Sequence, residues 1–95
     1  MNVNVTPQER KILELFVKQV CINFKQWCKD NGTNLNRELK TNGTPGRVTQ
    51  GTIYDIIAGR KNYLPLVAMA YLASKTNLTL AELAKYKSNA INSEG

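Results

Sequence analysis

The feature that most limits the fold is a long helical pattern near the start of the chain. Thr6 is an N-cap residue, Pro7 suits the first helical position and Glu9 completes a capping box. No glycine or proline follows until Gly32, so the pattern predicts one helix from Pro7 to about Asp30. Its apolar residues recur at steps of three and four, which predicts one buried face. They include Ile12, Leu13, Phe16, Val17, Val20, Phe24, Trp27 and Cys28.

This apolar face is long and wide for a chain of 95 residues, which can form a single domain with one modest core. Either the helix breaks in two, or its first half covers something besides the core. We interpret residues 6–19 as a helical extension and Trp27 as a core residue. The core of the domain is expected over about residues 20–86, followed by a flexible tail at 87–95.

A short second helix is predicted from Asn34 to about Lys40, with Thr33 or Asn34 as its cap. Leu35 and Leu39 are one helical turn apart and are expected to point inward. Residues 41–46 contain Asn-Gly and Pro-Gly pairs, which are typical of a loop.

A fourth helix is predicted to begin near Leu64, with Pro65 in its first turn. Residues 66–73 are apolar almost all round, so this helix is expected to be central to the core. Thr79 and Glu82 form a second capping box, which predicts a fifth helix. No stretch alternates convincingly as a strand would, so the expected class is all-α.

The third predicted helix has a defined start, a defined end and two different faces. Thr49 is its N-cap, and Gly59 can take the left-handed conformation that ends a helix. An apolar stripe of isoleucines, at positions 53, 56 and 57, faces the core. The opposite face carries Gln50, Gly51, Tyr54, Asp55 and Ala58. Such a face is typical of a helix that reads base edges in the major groove, or simply of a surface helix on a small core.

Charge and cysteine content narrow the partners. Thirteen Lys and Arg against seven Asp and Glu give a net charge of +6, which suits a polyanion such as nucleic acid. Cys21 and Cys28 are seven residues apart on one helix, or about 10 Å, which is too far for a disulfide. We therefore expect free thiols in a reducing, cytoplasmic compartment. Without histidine, a Cys/His zinc site is excluded.

Other function classes have little support. The chain has no histidine, the commonest general base, and no carboxylates spaced to face one another within one element. No enzyme activity and no cofactor are therefore expected. The longest apolar run is too short to span a bilayer. The sequence predicts no helix that pairs a strongly basic face with an exposed apolar one, so no membrane partner is expected.

The order of these motifs resembles the phage repressor and Cro-type (lambda-repressor-like) helix-turn-helix family. The resemblance covers about residues 24–83 and is most specific from Thr49 to Leu83. It departs from the family in two places, because the connection from Leu39 to Thr49 is longer than a tight turn and residues 6–19 have no counterpart. The residues that carry it are Glu38-Leu39, Val48-Thr49-Gln50, Thr52-Ile53, Ile56, Gly59-Arg60-Lys61, Leu64-Pro65, Leu72-Ala73 and Leu78-Thr79.

The resemblance implies a five-helix domain whose third helix lies in the major groove of double-stranded DNA. Base-reading positions would be Gln50, Gly51, Tyr54 and Asp55. The positions implied to touch the DNA backbone are Arg37, Lys40, Arg47, Thr49, Thr52, Arg60 and Lys61.

The leading hypothesis is a sequence-specific transcriptional regulator, repressor or Cro-like, that acts as a homodimer on two half-sites. The extension at residues 6–19 would pack on its own core or on a second subunit. The alternative is a protein-interaction module of the same fold, of the antirepressor or antitoxin type. Gly51 and Asp55 on the reading face, and the apolar N-terminal helix, favour that alternative.

Overall fold

The computed structural model describes residues 6–39 and 48–87, and across these ranges it contains five helices and no strand. The predicted all-α class and the number of helices are therefore confirmed. Expectations for residues 1–5, the loop at 41–46 and the tail after residue 87 lie outside the described residues. The helices are α1 (Pro7–Asp30), α2 (Leu35–Glu38), α3 (Gln50–Ile57), α4 (Leu66–Thr76) and α5 (Leu80–Ala84).

Helix α1 is continuous, so the alternative in which it breaks in two is wrong. Its capping box is present: the Thr6 hydroxyl accepts from the Glu9 amide at 3.1 Å, and the Thr6 amide donates to Glu9 Oε1 at 2.9 Å. The helix ends before Gly32. Gly32 has a φ of 71°, a left-handed conformation that glycine adopts easily because it has no Cβ atom. The first half of α1 leaves Ile12 and Leu13 more than half exposed, because no other described helix reaches that far along it.

The core forms around the second half of α1. Val20, Cys21 and Phe24 are fully buried there. Helices α3, α4 and α5 all pack against α1. Trp27, predicted as a core residue, is only half-buried: it packs against the core and stacks on Phe24 with ring centroids 6.3 Å apart. The other fully buried large side chains are Ile53, Ile56, Leu72, Leu83 and Cys28.

Helix α4 differs from the sequence prediction. It begins at Leu66 with Pro65 as its N-cap, because the residue before a proline is disfavoured in helical conformation and Leu64 therefore stays outside. Leu66 and Val67 are 69% and 66% exposed, so α4 is buried on one face only. A uniformly apolar sequence could not show where the neighbouring helices stop covering it.

The short helices begin where their caps predict. Asn34 caps α2 by accepting from the Arg37 amide at 2.8 Å, and Thr79 caps α5. Both helices end about two residues before the predicted positions, which were about Lys40 for α2 and about Tyr86 for α5. Helix α2 ends at Glu38 and α5 at Ala84. No helix among the described residues is both long and apolar enough to cross a lipid bilayer.

A buried asparagine fixes α5 to α1. Asn23 Nδ2 donates to the carbonyl oxygens of Leu83 at 2.9 Å and Ala84 at 3.0 Å. These are the last two carbonyls of α5, and the Leu83 carbonyl also accepts from the Tyr86 amide at 3.1 Å. Gln19 Nε2 donates in turn to Asn23 Oδ1 at 2.8 Å. The domain is thus closed by a polar contact that no local sequence pattern indicated.

Candidate nucleic-acid interface

Helix α3 is held so that its polar face points outward. Thr49 accepts from the Thr52 amide at 3.3 Å and so caps the first turn. Ile53 and Ile56 are buried against the core, which orients the helix about its axis. Gly59 has a φ of 85°, the left-handed conformation predicted for the residue that follows the helix.

Gln50 is exposed in the first turn of α3 and contacts α2. Its Nε2 donates to Asn36 Oδ1 at 3.3 Å, and Asn36 is exposed as well. The pair joins α2 and α3, the two helices that the resemblance predicted to form a helix-turn-helix unit. Sequence reasoning missed Asn36, because an exposed polar residue in a four-residue helix has no distinguishing pattern.

Gly51 leaves an open position on the same face. A Cβ atom built there would have Thr49 Oγ1 as its nearest neighbour, at 3.8 Å, which is ordinary contact. Packing within the chain therefore does not require glycine at this position. Since glycine inside a helix costs about 1 kcal/mol relative to alanine, its presence suits close approach of another molecule.

Tyr54 extends the outward face and contacts α1. Its side chain is 44% exposed, and Lys25 Nζ lies 5.3 Å from the ring centroid. This is the distance of a cation–π contact. Lys25 therefore lies beside the outward face of α3. It is far from α3 in sequence, and no sequence pattern indicated this contact.

Asp55 and Arg60 form an ion pair at the end of α3. Arg60 Nε lies 2.8 Å from Asp55 Oδ1, and the two side chains are 65% and 33% exposed. The amides of Arg60 and Lys61 also donate to the Asp55 carbonyl, at 2.8 and 3.2 Å. The residue predicted to read bases and the residue predicted to bind phosphate thus partly neutralise each other.

The remaining positions implied for the DNA backbone are not all described. The hydroxyls of Thr49 and Thr52 lie 3.1 Å apart and are close to Gln50. Arg37 and Lys61 are exposed, Arg37 on α2 beside Asn36. The two others, Lys40 and Arg47, lie outside the described residues.

The cysteines belong to the core. Cys21 and Cys28 are free and buried, and burial raises the pKa of each thiol to about 12. For Cys28, the nearby Glu38 carboxylate raises the pKa further. Within residues 6–39 and 48–87, no three histidine, cysteine or carboxylate side chains are placed to hold a metal ion. Neutral thiols of this kind are poor nucleophiles and poor metal ligands.

Comparison of the chain with protein-family models, with curated proteins and with solved structures finds no match. The assignment of a function therefore depends on the geometry and charge of the surface around α3.

Proposed function

We propose that the chain is a sequence-specific DNA-binding regulator that places α3 in the major groove of duplex DNA. The observation that carries the proposal is Gln50, exposed in the first turn of a capped helix and bonded to Asn36 of α2. A helix that enters the major groove presents its first turn to base edges. The net charge of +6 supports binding to a polyanion.

Each residue of the face has a role in this proposal. Gln50 reads adenine, since its amide can bond both N6 and N7 while Asn36 fixes its orientation. Gly51 lets the backbone approach the base edges. Tyr54 contacts a thymine methyl or a phosphate. Asp55 accepts from a cytosine amino group with the oxygen that faces away from Arg60. The residues that bind the sugar–phosphate backbone of the DNA are Arg37, Thr49, Thr52, Arg60 and Lys61.

The protein acts as a dimer in this proposal. One helix-turn-helix domain makes few base contacts, and a second half-site about one helical turn away supplies the missing specificity. Ile12 and Leu13, next to each other on the N-terminal half of α1, are 59% and 56% exposed. Exposed apolar groups that lie together are typical of protein–protein contact, and a second copy of the chain is the partner we propose.

The experiment is selection of bound duplexes from a random pool. The expected result is an enriched motif with two-fold symmetry, with half-sites about one helical turn apart. An enriched but unsymmetrical motif would keep DNA binding and contradict the dimer. A pool that shows no enrichment, from a protein that also binds no duplex at low salt, would overturn the function.

A second candidate is a protein-interaction module. The same exposed side chains of α1, together with Leu66 and Val67 of α4, favour it, because large apolar side chains exposed side by side are typical of protein–protein contact surfaces. It predicts a protein partner that binds in a fixed stoichiometry. The association should survive nuclease treatment and should be lost in the Leu13→Glu variant. Enrichment of a DNA motif without such a partner would rule it out as the main function.

A further inference from the structure

Helix α1 carries a row of exposed lysines along one edge of its packed face, beside α3. Successive members are seven, seven and four residues apart, so they lie on one side of the helix. The row spans 18 residues of α1, or about 27 Å. We call it the lysine row; it consists of Lys11, Lys18, Lys25 and Lys29, all exposed.

The middle of the lysine row touches the face that we assign to base reading. Lys25 Nζ lies 5.3 Å from the centroid of the Tyr54 ring. Lys25 and Lys29 also line a shallow groove with Ile57 of α3. The C-terminal part of the row therefore runs directly beside α3.

The N-terminal part of the row lies beside the residues that follow α3. Lys11 and Lys18 line a groove with Gly59 and Lys61, the residues that follow α3. Glu14 lines the same groove, but its Oε2 accepts a hydrogen bond from Asn62 at 3.1 Å. The lysine row thus flanks the C-terminal half of α3 and the cationic residues after its end.

A row of exposed lysines is usually only a solvated surface. Two observations favour a binding surface here: the row adjoins the outward face of α3, and it adds cations where Arg60 and Lys61 already stand. Duplex DNA carries one charge per about 1.7 Å of its axis, so a row of this length can meet several phosphates.

We infer that the lysine row is an accessory binding surface for the phosphodiester backbone of duplex DNA that flanks the bases read by α3. The inference rests on the proposed function, because it places the same duplex against both surfaces. The contact is independent of sequence, since ammonium groups meet phosphates and no base edge. Leu15 and Ile22, exposed between the lysines, were not expected and make an anionic membrane the competing partner.

The test compares two variants of the full chain that lose the same charge. Lys18→Gln/Lys25→Gln removes two members of the row. Lys75→Gln/Lys85→Gln removes two exposed or half-exposed lysines of α4 and the end of α5, including Lys75, whose Nζ lies 5.2 Å from the Tyr71 ring centroid. Both variants are first checked for unchanged helix content and thermal unfolding.

Affinity for a random and for a selected duplex is then measured at several salt concentrations. The row variant should bind both duplexes more weakly, and the slope of log K against log salt should become shallower by about 2 for each bound protomer, since each phosphate contact contributes about 0.9. The control variant should keep the wild-type slope. Equal slopes and affinities for the two variants would overturn the lysine row alone, whereas a wild-type protein that binds no duplex overturns the proposed function as well.

Vesicles of phosphatidylserine and phosphatidylcholine provide the competing arm. The inference expects vesicle binding that is no stronger for wild type than for the row variant. Vesicle binding that is lost in the row variant while its DNA slope stays unchanged would overturn the inference in favour of a membrane surface.

Discussion

Arg60 Nε lies 2.8 Å from the Asp55 carboxylate just after the end of α3, and both side chains are partly exposed to solvent. A carboxylate on a face that meets phosphate is unfavourable unless a cation offsets it. Arg60 supplies that cation while its remaining N–H groups stay available to a phosphate. In the proposed complex with DNA, the pair sets the balance between affinity for any duplex and discrimination among bases.

Asp55→Asn should raise affinity for random duplexes about two- to fivefold, the size of an exposed charge interaction of 0.5–1 kcal/mol. The change removes a charge that repels phosphate and releases Arg60. Preference for the selected duplex should fall, which competition titration measures. Glu82→Gln is the matched control, because glutamine also completes a capping box. An equal gain in both variants would show that only net charge had changed.

Gly51→Ala should stabilise the fold and weaken DNA binding. Alanine is favoured over glycine in a helix by about 1 kcal/mol, and the nearest neighbour of the new methyl group is 3.8 Å away. The same methyl group stands where α3 is proposed to approach the bases. Denaturant unfolding and duplex titration give the two readouts. Greater stability with unchanged binding would contradict close approach at this position.

Gly59→Ala is the companion change. Its φ of 85° is strained for any residue with a Cβ atom, so stability should fall by about 1 kcal/mol although the space around it is open. Denaturant unfolding should therefore show a gain in stability for Gly51→Ala, inside α3, and a loss for Gly59→Ala, after its end. The two signs separate the effect of helix propensity from that of backbone conformation.

Asn23→Ala should lower the free energy of unfolding by about 1–3 kcal/mol, because Ala84 and Leu83 would lose the side-chain amide that bonds their carbonyls in or near the core. The Leu83 carbonyl keeps its bond from the Tyr86 amide. Urea unfolding measures the loss. Gln19→Ala removes only a bond to the exposed side of the network and should cost less. Equal costs for the two changes would contradict the role of Asn23 in fixing α5.

Alkaline pH should destabilise the fold through the buried thiols. The pKa of Cys21 rises from 9.0 to about 12 on folding, because burial disfavours the thiolate. The stabilisation is therefore complete below the unfolded pKa and is lost as pH rises from about 9 towards 12. Between neutral pH and about pH 10, unfolding free energy should fall more steeply for wild type than for Cys21→Val. Parallel pH profiles, or rapid modification of the native thiols, would contradict the burial of Cys21.

The sequence was informative where structure is decided by neighbours along the chain. Thr6, Thr49 and Thr79 predicted the starts of α1, α3 and α5, because a cap and the amides it bonds are only a few residues apart. Gly59 predicted the end of α3 for the same local reason.

Contacts between distant segments were not predictable from these patterns. Gln50 meets Asn36 and Tyr54 meets Lys25 only because packing of buried isoleucines turns α3 in one direction. Exposure of Leu66 and Val67 depends likewise on where the other helices end. The sequence shows that a side chain is apolar, whereas its burial depends on how far the neighbouring helices extend.

The most direct test of base reading by α3 is the affinity of Gln50→Ala for the selected duplex and for its single-base variants. Gln8→Ala, which removes an exposed glutamine from the first turn of α1, is the matched control. We expect Gln50→Ala to lose about 1–3 kcal/mol of binding free energy and to accept any base at one position of each half-site. Unchanged affinity and unchanged base preference, equal to those of Gln8→Ala, would contradict the claim that Gln50 enters the groove.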